Sequence, residues 1–171
     1  MVERSALAIY IAAIVLFMMG AFATIILPFF DPDMTTPTAN AEARNYAPDS
    51  PEAKGRLVYI ANGCNTCHTQ YVRPVKADVA MNLGPVTVPG DYVYDKPHLF
   101  GSNRTGPDLM WVGSRTNAQW NYQHLKNPQK LVPGSIMPKY DYLSEDDLNN
   151  LVSYLMSLKP ATNAQAAAFN K

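Results

Sequence analysis

The residues with the clearest chemical potential are two cysteines followed by a histidine. Cys64 and Cys67 are separated by two residues, His68 follows directly, and these are the only two cysteines of the 171-residue chain. Thiols at this spacing reach both vinyl groups of one haem as thioethers, and the adjacent histidine then lies under the iron. The run therefore predicts one covalently bound haem c, with His68 as an iron ligand.

A Cys-x-x-Cys pair also occurs in redox disulfides and as half of a zinc site. A tetrahedral zinc site requires a second ligand pair, and the other histidines, His98 and His124, do not have the spacing of one. A dithiol oxidoreductase has a strand before the motif, whereas a helical pattern precedes Cys64. Both comparisons favour haem.

A haem that transfers electrons has a second axial ligand. The methionines that follow residues 64–68, the Cys-x-x-Cys-His pentad, are Met81, Met110, Met137 and Met156. Met137 is preferred because the flanking Pro133 and Pro138 exclude regular helix or strand and leave a loop. Met156 has the position of a core residue on the last helix. Met110 follows the Gly-Pro-Asp-Leu turn at residues 106–109 too closely for its side chain to reach across the haem ring. We therefore predict ligation by His68 and Met137.

His98 and His124 are the alternatives to Met137 as second axial ligand. A second histidine would lower the reduction potential, because ligand identity contributes to a range of about 0.8 V among haem proteins. We expect both residues to be hydrogen-bonded structural histidines instead.

The N-terminal region has no charged residue between Arg4 and Asp31. A helix of that length, at about 1.5 Å per residue, exceeds the hydrocarbon core of about 30 Å. We predict an uncleaved anchor over residues 1–34, with the span at residues 5–30. A cleaved signal peptide is the alternative, since residues 21–23 resemble a cleavage site, but its apolar core is usually about 7–15 residues.

Flanking charges indicate the orientation of this span. Arg4 precedes it and Asp31 and Asp33 follow it, which places the amino terminus in the cytoplasm by the positive-inside rule. Haem c is attached on the outer side of the membrane. We therefore predict a single-pass protein of the bacterial inner membrane with its haem domain on the periplasmic side.

The composition sets limits on organisation and partners. The chain has 14 basic and 14 acidic residues and no basic run, so no nucleic-acid partner is expected. Residues 35–50 are rich in Pro, Thr, Ala and Asn and are predicted to be a linker. Residues 51–160 have the size of one domain, and residues 161–171 form a polar, alanine-rich tail.

Capping signals predict three helices in this domain. Ser50 and the following proline mark the start of a helix that ends near Gly63. A second helix is predicted over residues 117–125. The last begins after Ser144, which has an acidic residue three positions later, and stops before Pro160.

The first and last of these helices carry residues that can pack closely. Gly55 and Tyr59 against Leu151 and Tyr154 look like the small-against-aromatic crossing of class I cytochromes c. The expected fold is all-α, with one transmembrane helix and a class I cytochrome c-like domain. Residues 69–100 exceed what a minimal cytochrome needs, and their prolines and tyrosines predict an ordered, irregular insert. We expect this insert to be a docking surface, or alternatively a lid over the haem edge.

The pentad, the Gly-Pro-Asp-Leu run at residues 106–109, the loop of Met137 and the amphipathic last helix together resemble a class I cytochrome c domain. The resemblance implies that the Pro107 carbonyl orients the His68 ring. Arg73 and Arg104 are candidates to pair with haem propionates, because a guanidinium fork matches a carboxylate. Ordinary surface arginines are the alternative.

A narrower resemblance covers nearly the whole chain. The runs at residues 63–74, 101–109, 124–128 and 132–140 resemble the membrane-anchored monohaem subunit of cbb3-type cytochrome c oxidases. This implies a subunit that accepts electrons from a c-type cytochrome and passes them to haem b of the catalytic haem-copper subunit. An iron with both axial positions filled is suited to carrying electrons and not to binding oxygen.

Two other functions share the anchor and the single haem. One is the haem c subunit of a nitric oxide reductase, whose catalytic partner contains no copper. The other is a free-standing anchored cytochrome c shuttle. The sequence favours the oxidase subunit because of the runs containing Arg73 and Arg104.

Overall fold

The computed structural model describes residues 2–161, and all regular secondary structure in that range is helical. The α-helices are α1 Val2–Ala21, α2 Pro32–Thr35, α3 Ala39–Ala43, α4 Pro51–Ala61, α5 Lys76–Ala80, α6 Ala118–Lys126, α7 Pro128–Leu131 and α8 Glu145–Ser157. The prediction of an all-α fold is confirmed. Except for Ala161, the predicted polar tail lies outside the described residues.

The first helix is apolar and exposed from Ala6 to Gly20. α1 continues as a π-helical turn at Phe22–Ile26 and a 3-10 turn at Leu27–Phe30, where Pro28 lacks the N–H that a further α-helical turn requires. Residues Ala6–Phe30 have a mean hydropathy of 2.5, and none of them is buried. This helix is long and apolar enough to cross a membrane, which supports a single-pass anchor.

The chain divides after Thr36 into two compact units, and the second is built on the crossing of α4 and α8. A Cβ atom at Gly55 would lie 1.9 Å from the backbone oxygen of Asn150, so only glycine permits this approach. The rings of Tyr59 and Tyr154 meet edge to face at 5.5 Å. The predicted small-against-aromatic crossing is confirmed.

The helix ends agree with the capping signals. Ser50 Oγ accepts a hydrogen bond from the Ala53 N–H at 3.1 Å, and Gly63 has φ +63° just after α4. Asn117 caps α6, which begins and ends one residue later than predicted. Ser144 caps α8 through the Asp147 N–H at 3.1 Å.

The helix α3 is attached to the insert. Asp91, which is buried, accepts hydrogen bonds from Thr38 Oγ1 at 2.6 Å and Asn40 Nδ2 at 2.9 Å. Arg44, also buried, donates to the Met110 sulfur at 3.2 Å. Part of the segment predicted as a linker therefore belongs to the second unit and packs on the insert. The domain boundaries given above stay a prediction.

Candidate functional site

The pentad at residues 64–68 follows α4 on a tight turn. The left-handed Gly63 ends the helix and starts a 3-10 turn at Cys64–Thr66, which is closed by a hydrogen bond from the His68 N–H to the Cys64 carbonyl at 3.0 Å. Cys64 is buried, Cys67 is exposed and the two are not joined. The turn keeps the three chemically active side chains within one local structure.

The His68 ring is held by the backbone of the run at residues 106–109. Its Nδ1–H donates to the Pro107 carbonyl at 2.7 Å, so Nε2 is the nitrogen that would bind iron. The Gly106 N–H donates to the Cys67 carbonyl at 2.9 Å, and a Cβ atom at Gly106 would lie 2.2 Å from His68 Cε1. Burial lowers the pKa of His68, partly offset by the Pro107 carbonyl, and favours the neutral ring that binds metals.

The methionines differ in what their sulfurs contact. The Met110 sulfur accepts from Arg44, and the Met156 sulfur accepts from Asn121 Nδ2 at 3.3 Å. Met81 is 54% exposed on the insert. Met137 is half-buried against the main core, and its carbonyl accepts from Gln129 Nε2 at 2.8 Å, which holds the loop in place. The sulfurs of Met110 and Met156 therefore have protein partners, and ligation by Met137 stays a prediction.

The two remaining histidines occupy different surroundings. His98 is exposed and stacks on Phe100 with ring centroids 5.2 Å apart. His124 stacks on Trp120 at 4.5 Å, and its Nδ1 is buried without a hydrogen-bond partner among the described residues. The expectation of a hydrogen-bonded structural histidine is therefore wrong for this atom of His124. A buried polar atom without a protein partner is compatible with a partner supplied by a prosthetic group.

The donor set fits a haem better than the two alternatives. Burial raises the pKa of the Cys64 thiol to about 11, whereas reactive dithiols have a lowered pKa. Within residues 6–161, no group of three or more His, Cys, Asp or Glu side chains could hold a metal ion. Two thiols on one turn, a histidine oriented through Nδ1 and a methionine in a loop match the requirements of a haem c.

Arg73 and Arg104 converge on one carboxylate of this chain. Asp78, on α5 within the insert, is buried and accepts from Arg104 Nη1 at 2.6 Å and from Arg73 Nη2 at 2.9 Å. The hydrogen bonds from Arg104 and then Arg73 hold the pKa of Asp78 well below its usual range. Pairing of the arginines with haem propionates stays a prediction.

Asp78 and Asp108 are site residues to which sequence reasoning gave no role. Asp108 is buried beside Pro107 and accepts from Thr69 Oγ1 at 2.6 Å. The sequence signal for Asp108 was its position in the run at residues 106–109, for which a role was predicted only for the proline. Asp78 had no local signal, because its distance of five residues from Arg73 is not a helical pairing.

The insert presents an exposed aromatic patch next to the pentad. This patch consists of Tyr71, His98 and Phe100, with Tyr92 buried beneath it at a centroid distance of 4.7 Å from Phe100. The Phe100 carbonyl accepts from the Gln70 N–H at 3.0 Å, two residues beyond the end of the pentad. The patch and the turn of the pentad are therefore neighbours in the second unit.

A protein-family model described as "Cytochrome C oxidase, mono-heme subunit/FixO" matches residues 1–164. The matched range contains the apolar N-terminal helix, the pentad, the insert and the loop of Met137. No curated protein matches the chain.

Proposed function

The chain belongs to the family of mono-haem subunits of cytochrome c oxidase, and on that premise we propose that it is the electron-transfer subunit of a cbb3-type oxidase. In this role it takes electrons from a c-type cytochrome and passes them to haem b of the catalytic haem-copper subunit. The apolar helix is its single anchor in the bacterial inner membrane, and the second unit lies on the periplasmic side.

Four residues would hold the haem. Cys64 and Cys67 attach it covalently, His68 and Met137 bind the iron, and a haem c with this ligand pair supplies one reversible electron-accepting centre. The observation that carries the proposal is the hydrogen bond from His68 Nδ1 to the Pro107 carbonyl at 2.7 Å. A histidine oriented in this way presents its Nε2 as a fixed ligand with raised basicity.

The insert is the proposed contact with the catalytic subunit. Its aromatic patch is exposed, with Tyr71 at 38% and Phe100 at 39%. Aromatic side chains are enriched among the residues that contribute most to protein interfaces. Their position beside the haem-attachment turn would bring the partner close to the electron-transfer centre.

The identity of the complex is tested by purifying it in mild detergent and measuring pyridine haemochrome spectra and metal content on one sample. Haem c together with haem b and copper supports the oxidase assignment. Haem b with non-haem iron and no copper would identify a nitric oxide reductase instead. Haem c on a lone chain would identify the shuttle.

The docking surface is tested separately with a photo-crosslinking amino acid. Placed at position 100, it should form a covalent adduct with the catalytic subunit. The same amino acid at position 142, where Tyr142 is 68% exposed outside the insert, is the matched control. Equal cross-linking at both positions, or none at position 100, would exclude the insert as the contact.

A further inference from the structure

The carboxylate of Asp108 is fixed by three hydrogen bonds next to the carbonyl that holds His68. Asp108 is 1% exposed; its Oδ2 accepts from Thr69 Oγ1 at 2.6 Å and from the Tyr71 N–H at 2.9 Å. Its Oδ1 accepts from the Met110 N–H at 2.9 Å. The chain on the C-terminal side of Pro107 is thereby held in one position.

Thr69 holds the chain on the C-terminal side of His68 against residues 108 and 109. It follows His68 directly, its hydroxyl donates to Asp108, and its carbonyl accepts from the Leu109 N–H at 2.8 Å. The residues that follow His68 and Pro107 are therefore joined by side-chain and backbone hydrogen bonds. These bonds fix how closely the carbonyl can approach the ring.

Arg104 contacts both Thr69 and Asp108. Its Nε–H donates to Thr69 Oγ1 at 2.7 Å, and its Nη2 lies 3.6 Å from Asp108 Oδ2. A buried carboxylate needs a charged or hydrogen-bonded partner, because desolvation alone disfavours its ionised form. Arg104 provides that partner and is itself held by Asp78.

We infer that Thr69, Asp108 and Arg104 form a positioning unit that presses the Pro107 carbonyl against His68 and thereby lowers the reduction potential of the site. The inference rests on the proposed role of His68 as an iron ligand. A firm hydrogen bond at Nδ1 makes the imidazole a stronger donor, and a stronger donor favours the oxidised state of a bound metal. A buried negative charge nearby acts in the same direction.

The test measures the reduction potential of the full-length, haem-loaded protein in detergent, together with its thermal unfolding. Thr69→Val removes the hydroxyl that joins Asp108 to Arg104 and keeps both charges. Asp108→Asn removes the charge. Thr116→Val is the control for a lost hydroxyl, since Thr116 Oγ1 also donates one hydrogen bond and accepts another away from His68. Asp49→Asn is the control for a lost charge at an exposed position.

Thr69→Val is expected to raise the potential, and Asp108→Asn to raise it further, while both controls leave it unchanged. In Thr69→Val the Leu109 amide should also exchange its hydrogen faster, a readout that is independent of the redox state. An unchanged potential in Thr69→Val, with a loss of thermal stability equal to that of Thr116→Val, overturns the inference.

If Asp108→Asn yields no haem-loaded protein, Thr69→Val decides the inference alone. A wild-type chain that carries no covalent haem would refute the proposed function. A haem-loaded wild type whose potential does not respond to Thr69→Val refutes only the positioning unit.

Discussion

Replacing Asp78 by asparagine should destabilise the second unit without removing any apolar contact. Asp78 is buried and receives guanidinium hydrogen bonds from two arginines and a backbone hydrogen bond from the Arg73 N–H at 2.8 Å. The amide can still accept some of these bonds, but it leaves the arginine charges without a buried counter-charge.

The size of the loss follows from how deeply each partner is buried. Removing one partner of a buried ion pair costs about 3–5 kcal/mol. The Arg104 side chain is 17% exposed and that of Arg73 is 46% exposed, so water screens part of the interaction. We expect Asp78→Asn to cost about 3 kcal/mol, the lower end of that range. Arg73→Ala, at the exposed edge of the cluster, should cost much less.

The effect has a defined pH dependence. Because the pKa of Asp78 is lower in the folded than in the unfolded chain, its contribution is complete above the unfolded value and is lost as pH falls through the folded value. The difference in unfolding free energy between wild type and Asp78→Asn should therefore be constant from about pH 7 to pH 5 and shrink only below about pH 4.

Urea unfolding of the full chain in detergent measures these differences. Both tryptophans, Trp111 and Trp120, lie in the second unit, so their fluorescence reports on that unit and not on the anchor. Equal losses for Asp78→Asn and Arg73→Ala would refute the reasoning, because they would mean that the buried partner contributes no more than the exposed one. A difference that closes between pH 7 and pH 5 would refute the assigned pKa direction.

Three further predictions address ligation, packing and the attachment of α3. Met137→His should keep the haem attached while lowering its potential; an unchanged potential and spectrum, matching the Met156→Leu control, would exclude Met137 as ligand. Gly55→Ala should cost about 3 kcal/mol, measured by thermal unfolding, because its Cβ would lie 1.9 Å from a backbone oxygen. Gly134→Ala should cost about 1–2 kcal/mol, because φ is +82° there but no atom lies within 4 Å of the added Cβ; equal losses would contradict the tight crossing. Asp91→Ala should raise tryptic cleavage after Arg44 about tenfold, since lost buried hydrogen bonds favour local opening. Asp49→Ala is its exposed control, and cleavage equal to that of wild type would show that Asp91 does not hold α3.

Short-range sequence patterns were sufficient to predict the helices whose ends or lengths depend on neighbouring residues. The ends of α4 were readable because Ser50 bonds an amide three residues away and Gly63 adopts a conformation that other residues avoid. The apolar first helix was readable because length and hydropathy add along the chain. The prediction for α8 succeeded for the same reason, since Ser144 caps it locally.

Contacts between residues far apart in the chain could not be predicted from short-range sequence patterns. Thr38 and Asp91 are 53 positions apart, so nothing in the local composition of residues 35–50 indicated that part of this stretch packs on the insert. The partners of the alternatives to Met137 were not predictable either, since Arg44 reaches the Met110 sulfur across 66 positions.

The sequence by itself determined that Cys64, Cys67 and His68 share one turn, because they lie within five consecutive residues directly after the glycine that ends α4. The tertiary structure decided which groups surround them. Arg104 meets Asp78 across 26 positions, and Asp108 meets Thr69 across 39. A charge pairs with the partner that folding brings within a few ångströms, and that choice is made by the packing of the whole unit.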